Sequence, residues 1–362
     1  MSKTVKTVLL TALLLIVLGM ALIAVSLLRG ANIRELWNSG NFQVGQISTG
    51  YGDLKDYTIC KSGEESFSPA EVKRIDLDWI SGTVKLQPGS GDRITLKESC
   101  EKALKDEQKL CWKLDEGTLS IRFCKALQTQ MAGKELVLTV PADWTAESIG
   151  VHATSADLEL NGLRVEGILS STATSGGVTL DGCSCRTLAV SASSGEVSLN
   201  GCAFDKLDAG ASSGSISLKG CDGRELRLSA TSGAISIDGG RCDTLKANTT
   251  SGNIYVRAEA KEIRLESTSG SIRCEEVSAL CSVSIDTTSG TVKLALPDTG
   301  SDQRIEIETT SGDVYLDVPG AIDLDYDTAS GDMHGRLEQG GSGCPKVEIE
   351  TTSGDLILGA FD

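Results

Sequence analysis

The sequence predicts an all-β fold: a parallel β-solenoid with coils of about 19–20 residues, preceded by one N-terminal transmembrane helix. Three observations predict it. First, Thr-Ser-Gly followed by a short apolar strand recurs along the chain. A degenerate TSADLEL is followed by TSGGVTL, SSGEVSL, SSGSISL, TSGAISI, TSGNIYV, TSGSIRC, TSGTVKL, TSGDVYL, ASGDMHG and TSGDLIL. From Ser155 the motif serines step by 20, 19, 19, 19, 19, 18, 20, 22, 19 and 23 residues, and self-similarity at such a period is the mark of a stacked repeat. Second, residues flanking each phrase alternate apolar and polar at period two, as a strand with one buried face does. Third, residues 8–28 form a 21-residue apolar stretch broken only by Thr11, Gly19 and Ser26, long enough to cross a bilayer.

In chain order, residues 1–29 read as an uncleaved signal anchor. Lys3 and Lys6 precede the apolar stretch, and Arg29 rather than a small-x-small cleavage site follows it. The slight positive bias before the stretch places the N-terminus inside and the solenoid outside the cell, a single-pass arrangement in the cell membrane. Residues 30–69 are polar, glycine-rich and without periodicity, a tether. Residues 70–148 read as an N-terminal cap of variant coils and a hairpin. The segment from Arg74 to Leu86 is an early copy of the repeat, set apart from the main array by the interruption 99–133. Within that interruption 101–110 is charged and mildly helical, and Asp115-Glu116-Gly117 is a hairpin turn signal. A cap is expected because the first coil otherwise exposes a pairing edge.

Residues 149–362 form the regular solenoid of eleven coils. Relative to the motif serine, positions −6 and −4 are apolar (Ile149/Val151, Leu188/Val190, Leu226/Leu228, Ile305/Ile307, Val347/Ile349). Position −2 is small, alanine from Ala153 to Ala230 and then threonine or serine, and +3 and +5 are aliphatic. Each coil is thus two strands joined at a Ser-Gly corner. The glycine suits an unusual backbone angle there, and the serine satisfies local backbone groups or stacks as a ladder. The 20-residue coil is not built of hexapeptides, which favours a right-handed β-helix.

The net charge of −16 and the absence of a basic cluster argue against nucleic acid or an anionic lipid surface as a partner. Of twelve cysteines, Cys183, Cys202 and Cys221 each lie eight residues after a motif serine and stack as a ladder of small buried thiols; Cys185 and Cys242 share position +10. Cys100, Cys111 and Cys124 lie outside the repeat and are the better disulfide candidates. Cys183-Ser-Cys185 is too short for zinc.

The lead-in IDLDWISGTVKLQPGSGD, the strand KELVLTVPADW and the serial TSGDV and TSGTV phrases resemble the bacterial "putative adhesin" family of β-strand-repeat proteins of unknown function, over residues 68–362. The resemblance implies an envelope β-solenoid, held by one membrane helix and linked to surface adhesion or envelope-stress signalling. It implies no catalytic or binding residues.

No catalytic, cofactor or metal residues are expected. His152 (−3) and His334 (+4) face outward at nearly opposite ends of the array, so no Ser-His-Asp or Cys-His unit forms. A β-helix polysaccharide lyase or glycosidase needs clustered carboxylates and aromatic platforms, and the array offers Tyr255, Tyr315 and Tyr326 without tryptophan. One surface stands out. Outward positions −5 and −3 turn acidic toward the C-terminus: Glu266, Asp286, Glu306/Glu308, Asp325/Asp327 and Glu348/Glu350. This reads as a solvated face that discourages aggregation, with weak calcium binding the sharper alternative. The −1 threonines (Thr154, Thr174, Thr231, Thr250, Thr268, Thr288, Thr310, Thr352) read as the single outward hydroxyl column, a structural ladder. The expected role is non-enzymatic: an anchored, adhesin-like, scaffolding or sensing solenoid whose partner is an envelope protein or surface glycan. The other reading is a polymerising cytoplasmic scaffold of the bactofilin type. It is motivated by Leu356-Ile-Leu-Gly-Ala-Phe361, an apolar final strand without a cap.

Overall fold

The computed structural model describes residues 54–124, 133–275, 278–297, 303–336, 338, 340–341 and 343–359. Chain contacts divide the protein into Met1–Gly52 and Asp53–Asp362. The anchor expected at 8–28 belongs to the first unit and lies outside the described residues. Among the described residues no helix is long and apolar enough to cross a membrane.

Strands make up the second unit, and the only helical element described is the 3-10 turn Asp106–Gln108. Alternation sets the stacking. Leu158/Leu160, Val178/Leu180, Val197/Leu199, Ile216/Leu218, Ile235/Ile237 and Ile254/Val256 pair in parallel, each directly above its counterpart. All are 2% exposed or less. Their neighbours point to solvent, since successive strand residues face opposite sides. A second parallel ladder runs through positions −6 to −2, from Ala146–Asn161 up to Ser278–Ser289 and Arg304–Ser311.

The motif glycines are explained by space rather than by backbone angle. A Cβ on Gly214 would be driven into the carbonyl oxygen of Gly195, and one on Gly233 into that of Gly214. The Ser-Gly corners stack too closely for a side chain there. Left-handed glycines occupy the second corner instead, at Gly162, Gly182, Gly201 and Gly220, with φ of 58°, 60°, 56° and 56°.

At both ends the stack departs from chain order. The first eight strands are β1 (Thr58–Ile59), β2 (Glu64–Phe67), β3 (Arg74–Gly89), β4 (Ile94–Ser99), β5 (Cys111–Asp115), β6 (Thr118–Arg122), β7 (Lys134–Pro141) and β8 (Ala146–Asn161). β3 pairs in register with β8, so this early copy of the repeat joins the array directly and is not set apart from it. The described strands of the cap lie over its outer side. β6 and β7 lie parallel on β3, β5 and β4 add antiparallel, and β1 and β2 finish the edge.

At the other end coil 346–358 is inserted between coils 304–317 and 323–334. Lys346–Ser353 pairs with both Arg304–Ser311 and Asp323–Ser330, and Leu356–Leu358 with both Val314–Asp317 and Met333–His334. The final apolar strand is therefore an interior layer, with Val347, Ile349 and Leu356 at most 1% exposed. The expectation of an uncapped apolar end is corrected: the outermost described coil is 323–334. It suits that place, with Met333 54% exposed and Gly335 at the inward position +5. The Tyr326 hydroxyl reaches down to the Gly354 carbonyl at 3.2 Å.

Candidate functional site

The fold leaves function to side chains that point outward, and two surfaces result. The corner is the first. The −1 threonines and the motif serines are both exposed, from Thr154/Ser155 to Thr352/Ser353. Two hydroxyl files therefore run along the rod where one was expected. The corner backbone is satisfied without them: Ser194 N donates to Thr174 O at 3.0 Å and Ser213 N to Ser193 O at 2.9 Å. The serine is thus no local backbone cap. Where a hydroxyl ties the corner it stands at −2: Thr249 Oγ1 accepts from Gly252 N at 3.1 Å and donates to Gly233 O at 3.2 Å.

The second surface is the acidic face, and the inserted coil tightens it. Its −3 column stacks as Asp286, Glu308, Glu350 and Asp327, and its −5 column as Glu306, Glu348 and Asp325. Adjacent carboxylates lie roughly 5 Å apart along such columns. Few cations offset them. Arg264 reaches Glu266 at 2.7 Å and Asp286 at 3.5 Å, and Arg304 reaches Glu348 at 3.2 Å. Partial burial raises the Asp286 pKa, with Glu266 and Glu306 adding to it against Arg264. Glu308 is raised for the same reason, with Asp286 and Glu306 the main neighbours. Among the described residues no three His, Cys, Asp or Glu side chains are grouped to hold a metal ion.

The remaining sites named from sequence fall apart as chemistry. His152 Nδ1 is 2.6 Å from Thr172 Oγ1, and His334 Nε2 is 3.5 Å from Asp355 at the far end. Cys183, Cys202 and Cys221 are buried and stacked, their thiols directed at the Leu160, Leu180 and Leu199 carbonyls at 3.3, 3.8 and 3.5 Å. Cys202 is pushed up to about 11 by the Cys183 thiol beside it, and Cys274 to about 12 by burial. Cys202 and Cys274 are packing groups, not activated nucleophiles, whereas the hydrogen bond with Cys202 holds the buried Cys183 thiol below the usual value. Cys100, one of the three disulfide candidates, is a free thiol 3.7 Å from the Gly133 carbonyl.

Sequence reasoning missed one centre altogether. Lys134, whose side chain is 1% exposed, lies under the N-terminal cap with its ammonium 2.5 Å from the equally buried Glu98 carboxylate. It also donates to the Gln108 and Phe123 carbonyls and sits 5.0 Å from the Trp79 ring centre and 3.9 Å from that of Phe123. Desolvation holds its pKa below the usual lysine value, against the pull of Glu98. A lysine beginning the strand KELVLTVP looks like an exposed flank; the packing of Glu98, Gln108, Phe123 and Trp79 around it buries it.

Residues 72–259 and 187–358 match the model of the Toastrack DUF4097 family, which together span most of the sequence. The chain belongs to this family. No curated protein matches it. Two solved structures resemble it at 11% identity. One is titled a "putative cell adhesion protein" from Clostridium sporogenes ATCC 15579, with 82% of this chain and 97% of that one covered and a TM-score of 0.22. The other is titled a "putative adhesin" from Bacteroides fragilis NCTC 9343, with 82% and 96% covered and a TM-score of 0.31. Membership of the Toastrack DUF4097 family agrees with a β-solenoid of repeated strands and brings no catalytic residues with it.

Proposed function

We propose that the protein is a non-enzymatic, membrane-anchored β-solenoid of the cell envelope that presents its outward columns to a partner protein or surface glycan. One observation carries the reading. Inward positions −6 and +3 stay apolar from coil to coil, whereas outward positions −5 and −3 change from a mixed set such as Ser191, Asp208, Arg227 and Lys246 to the carboxylates after Glu266. A scaffold with an invariant interior and a graded exterior is suited to recognition along its length. The apolar stretch at 8–28 supports the anchor. Ser251→Cys on the exposed corner tests placement: an impermeant thiol reagent labels it in intact cells if the solenoid is outside. Labelling only after lysis overturns the external placement.

The bactofilin-like reading has lost its motive, because the apolar last strand is covered on both sides by neighbouring coils.

A further inference from the structure

A shallow groove of about 690 Å³, largely open to solvent, lies on the return side of four successive coils, lined among others by Arg164, Glu166, Arg186, Phe204, Asp205 and Asp222. Its floor is apolar. Phe204 is 6% exposed, and its ring lies over Gly223 so closely that any side chain there would strike it. Register fixes the walls: Arg164 pairs with Ser184, Ser184 with Ala203 and Ala203 with Asp222. Two residues on, the other wall carries Glu166, Arg186 and Asp205.

Beyond the groove, these wall columns close into ion pairs. Arg224 lies 3.9 Å from Asp243, Lys261 lies 2.6 Å from Asp243, and Arg241 lies 2.8 Å from Glu259. Inside the groove, Arg164 and Arg186 have no side-chain partner among the described residues, although Glu166 and Asp205 flank Arg186 in its column. Open walls over an apolar floor leave the charges free for an occupant. They are also sorted by position. The two guanidinium groups, against the single carboxylate of Glu166, leave the first two coils net positive, and Asp205 and Asp222 make the next two net negative, so the centres of opposite net charge are about 10 Å apart at 4.8 Å per coil.

We propose that this groove binds a short extended peptide bearing a free carboxylate and a free ammonium about 10 Å apart, the reach of three extended residues. Arg164 and Arg186 take the carboxylate, by the charge-assisted forks that guanidinium groups form. Asp205 and Asp222 take the ammonium, and the Phe204 floor takes the chain between. Asp222 Oδ1 already accepts from Arg241 N at 2.9 Å and is held in place for this. The groove is independent of the anchored-display reading, which stands if the groove proves empty.

The test is calorimetric titration of the full-length chain with trialanine bearing free ends, against its N-acetylated and C-amidated forms. Free trialanine is expected to bind, with each cap weakening it at least tenfold. Arg164→Gln with Arg186→Gln should bind free and amidated peptides alike. Asp205→Asn with Asp222→Asn should likewise lose discrimination against the acetylated one. All four side chains are exposed, so circular dichroism should match the parent. Absence of binding up to about 10 mM, where even a weak site would register, or equal binding of capped and free peptides, overturns the proposal.

Discussion

At position −2 the chain runs a comparison on itself. Thr249 and Ser267 tie the corner, each accepting from a glycine amide three residues on, at 3.1 and 2.9 Å. Thr287, Thr309, Thr351 and Thr328 occupy the same column, yet their hydroxyls have no partner. In those coils the corner glycine bonds the next coil instead, Gly290 N to Ser311 O and Gly312 N to Ser353 O. Thr249→Val should cost about 1 kcal/mol in urea melts, because it strands a buried amide. Thr309→Val should be neutral or stabilising, because it removes only an orphan. The two kinds of glycine separate in the same way. Gly201→Ala meets empty space but a left-handed angle, a cost of about 1–2 kcal/mol. Gly214→Ala must push stacked backbones apart and should cost more. The serial Thr-Ser-Gly phrase made the corner legible from sequence. It did not say which hydroxyl served the backbone, because −2 and 0 read equally polar and only geometry shows which one turns inward.

At the scale of elements, the cap and the acidic face respond to different perturbations. The Lys134 ammonium joins β4 through Glu98, the 3-10 turn through Gln108 and the end of β6 through Phe123. Breaking a buried pair leaves an uncompensated charge, so Lys134→Met should destabilise by about 3–5 kcal/mol, and adding Glu98→Leu should restore much of the loss. A double-mutant cycle read by chemical denaturation checks both. On the acidic face the raised carboxylates set a pH sign. Asp286 and Glu308 are harder to ionise folded than unfolded. They therefore take up protons first in the folded state as pH falls through their raised values, which adds stability, and withhold that stability at neutral pH. Asp286→Asn with Glu308→Gln should raise Tm at pH 7 and lose that advantage toward pH 4. An unchanged gap between variant and parent across that range would show that the columns do not repel. The alternation that predicted the strands also placed these carboxylates outward. Burial of Lys134 was illegible because it depends on strands 36 residues apart meeting antiparallel.

At the scale of the whole molecule, repetition explains both what the sequence revealed and what it concealed. Any coil can stack on any other, so the repeats specify the array strongly and the order of its members weakly. Chain order was the natural expectation, and it fails at both ends. β6 and β7 lie outside β3, and coil 346–358 lies inside coil 323–334. Composition decides the second case. Val347, Ile349, Leu356 and Leu358 can be covered from both sides, whereas Tyr326, Met333 and Gly335 serve better as a lid; the reverse order would leave an apolar edge open to further pairing. The outermost described strand instead carries Asp323, Asp325 and Asp327, charges of the kind that guard natural sheet edges. Two consequences distinguish this order from a sequential one. Sedimentation of the chain should show no end-to-end polymer at high protein concentration. Truncation after Pro345 removes the layer between coils 304–317 and 323–334, so amide exchange should lose its protection across Asp323–Ser330 together with the deleted coil. In sequential stacking Asp323–Ser330 would rest on Arg304–Ser311 already and keep its protection after the same cut. Retained protection would therefore show that the inserted coil is not what holds the lid in place.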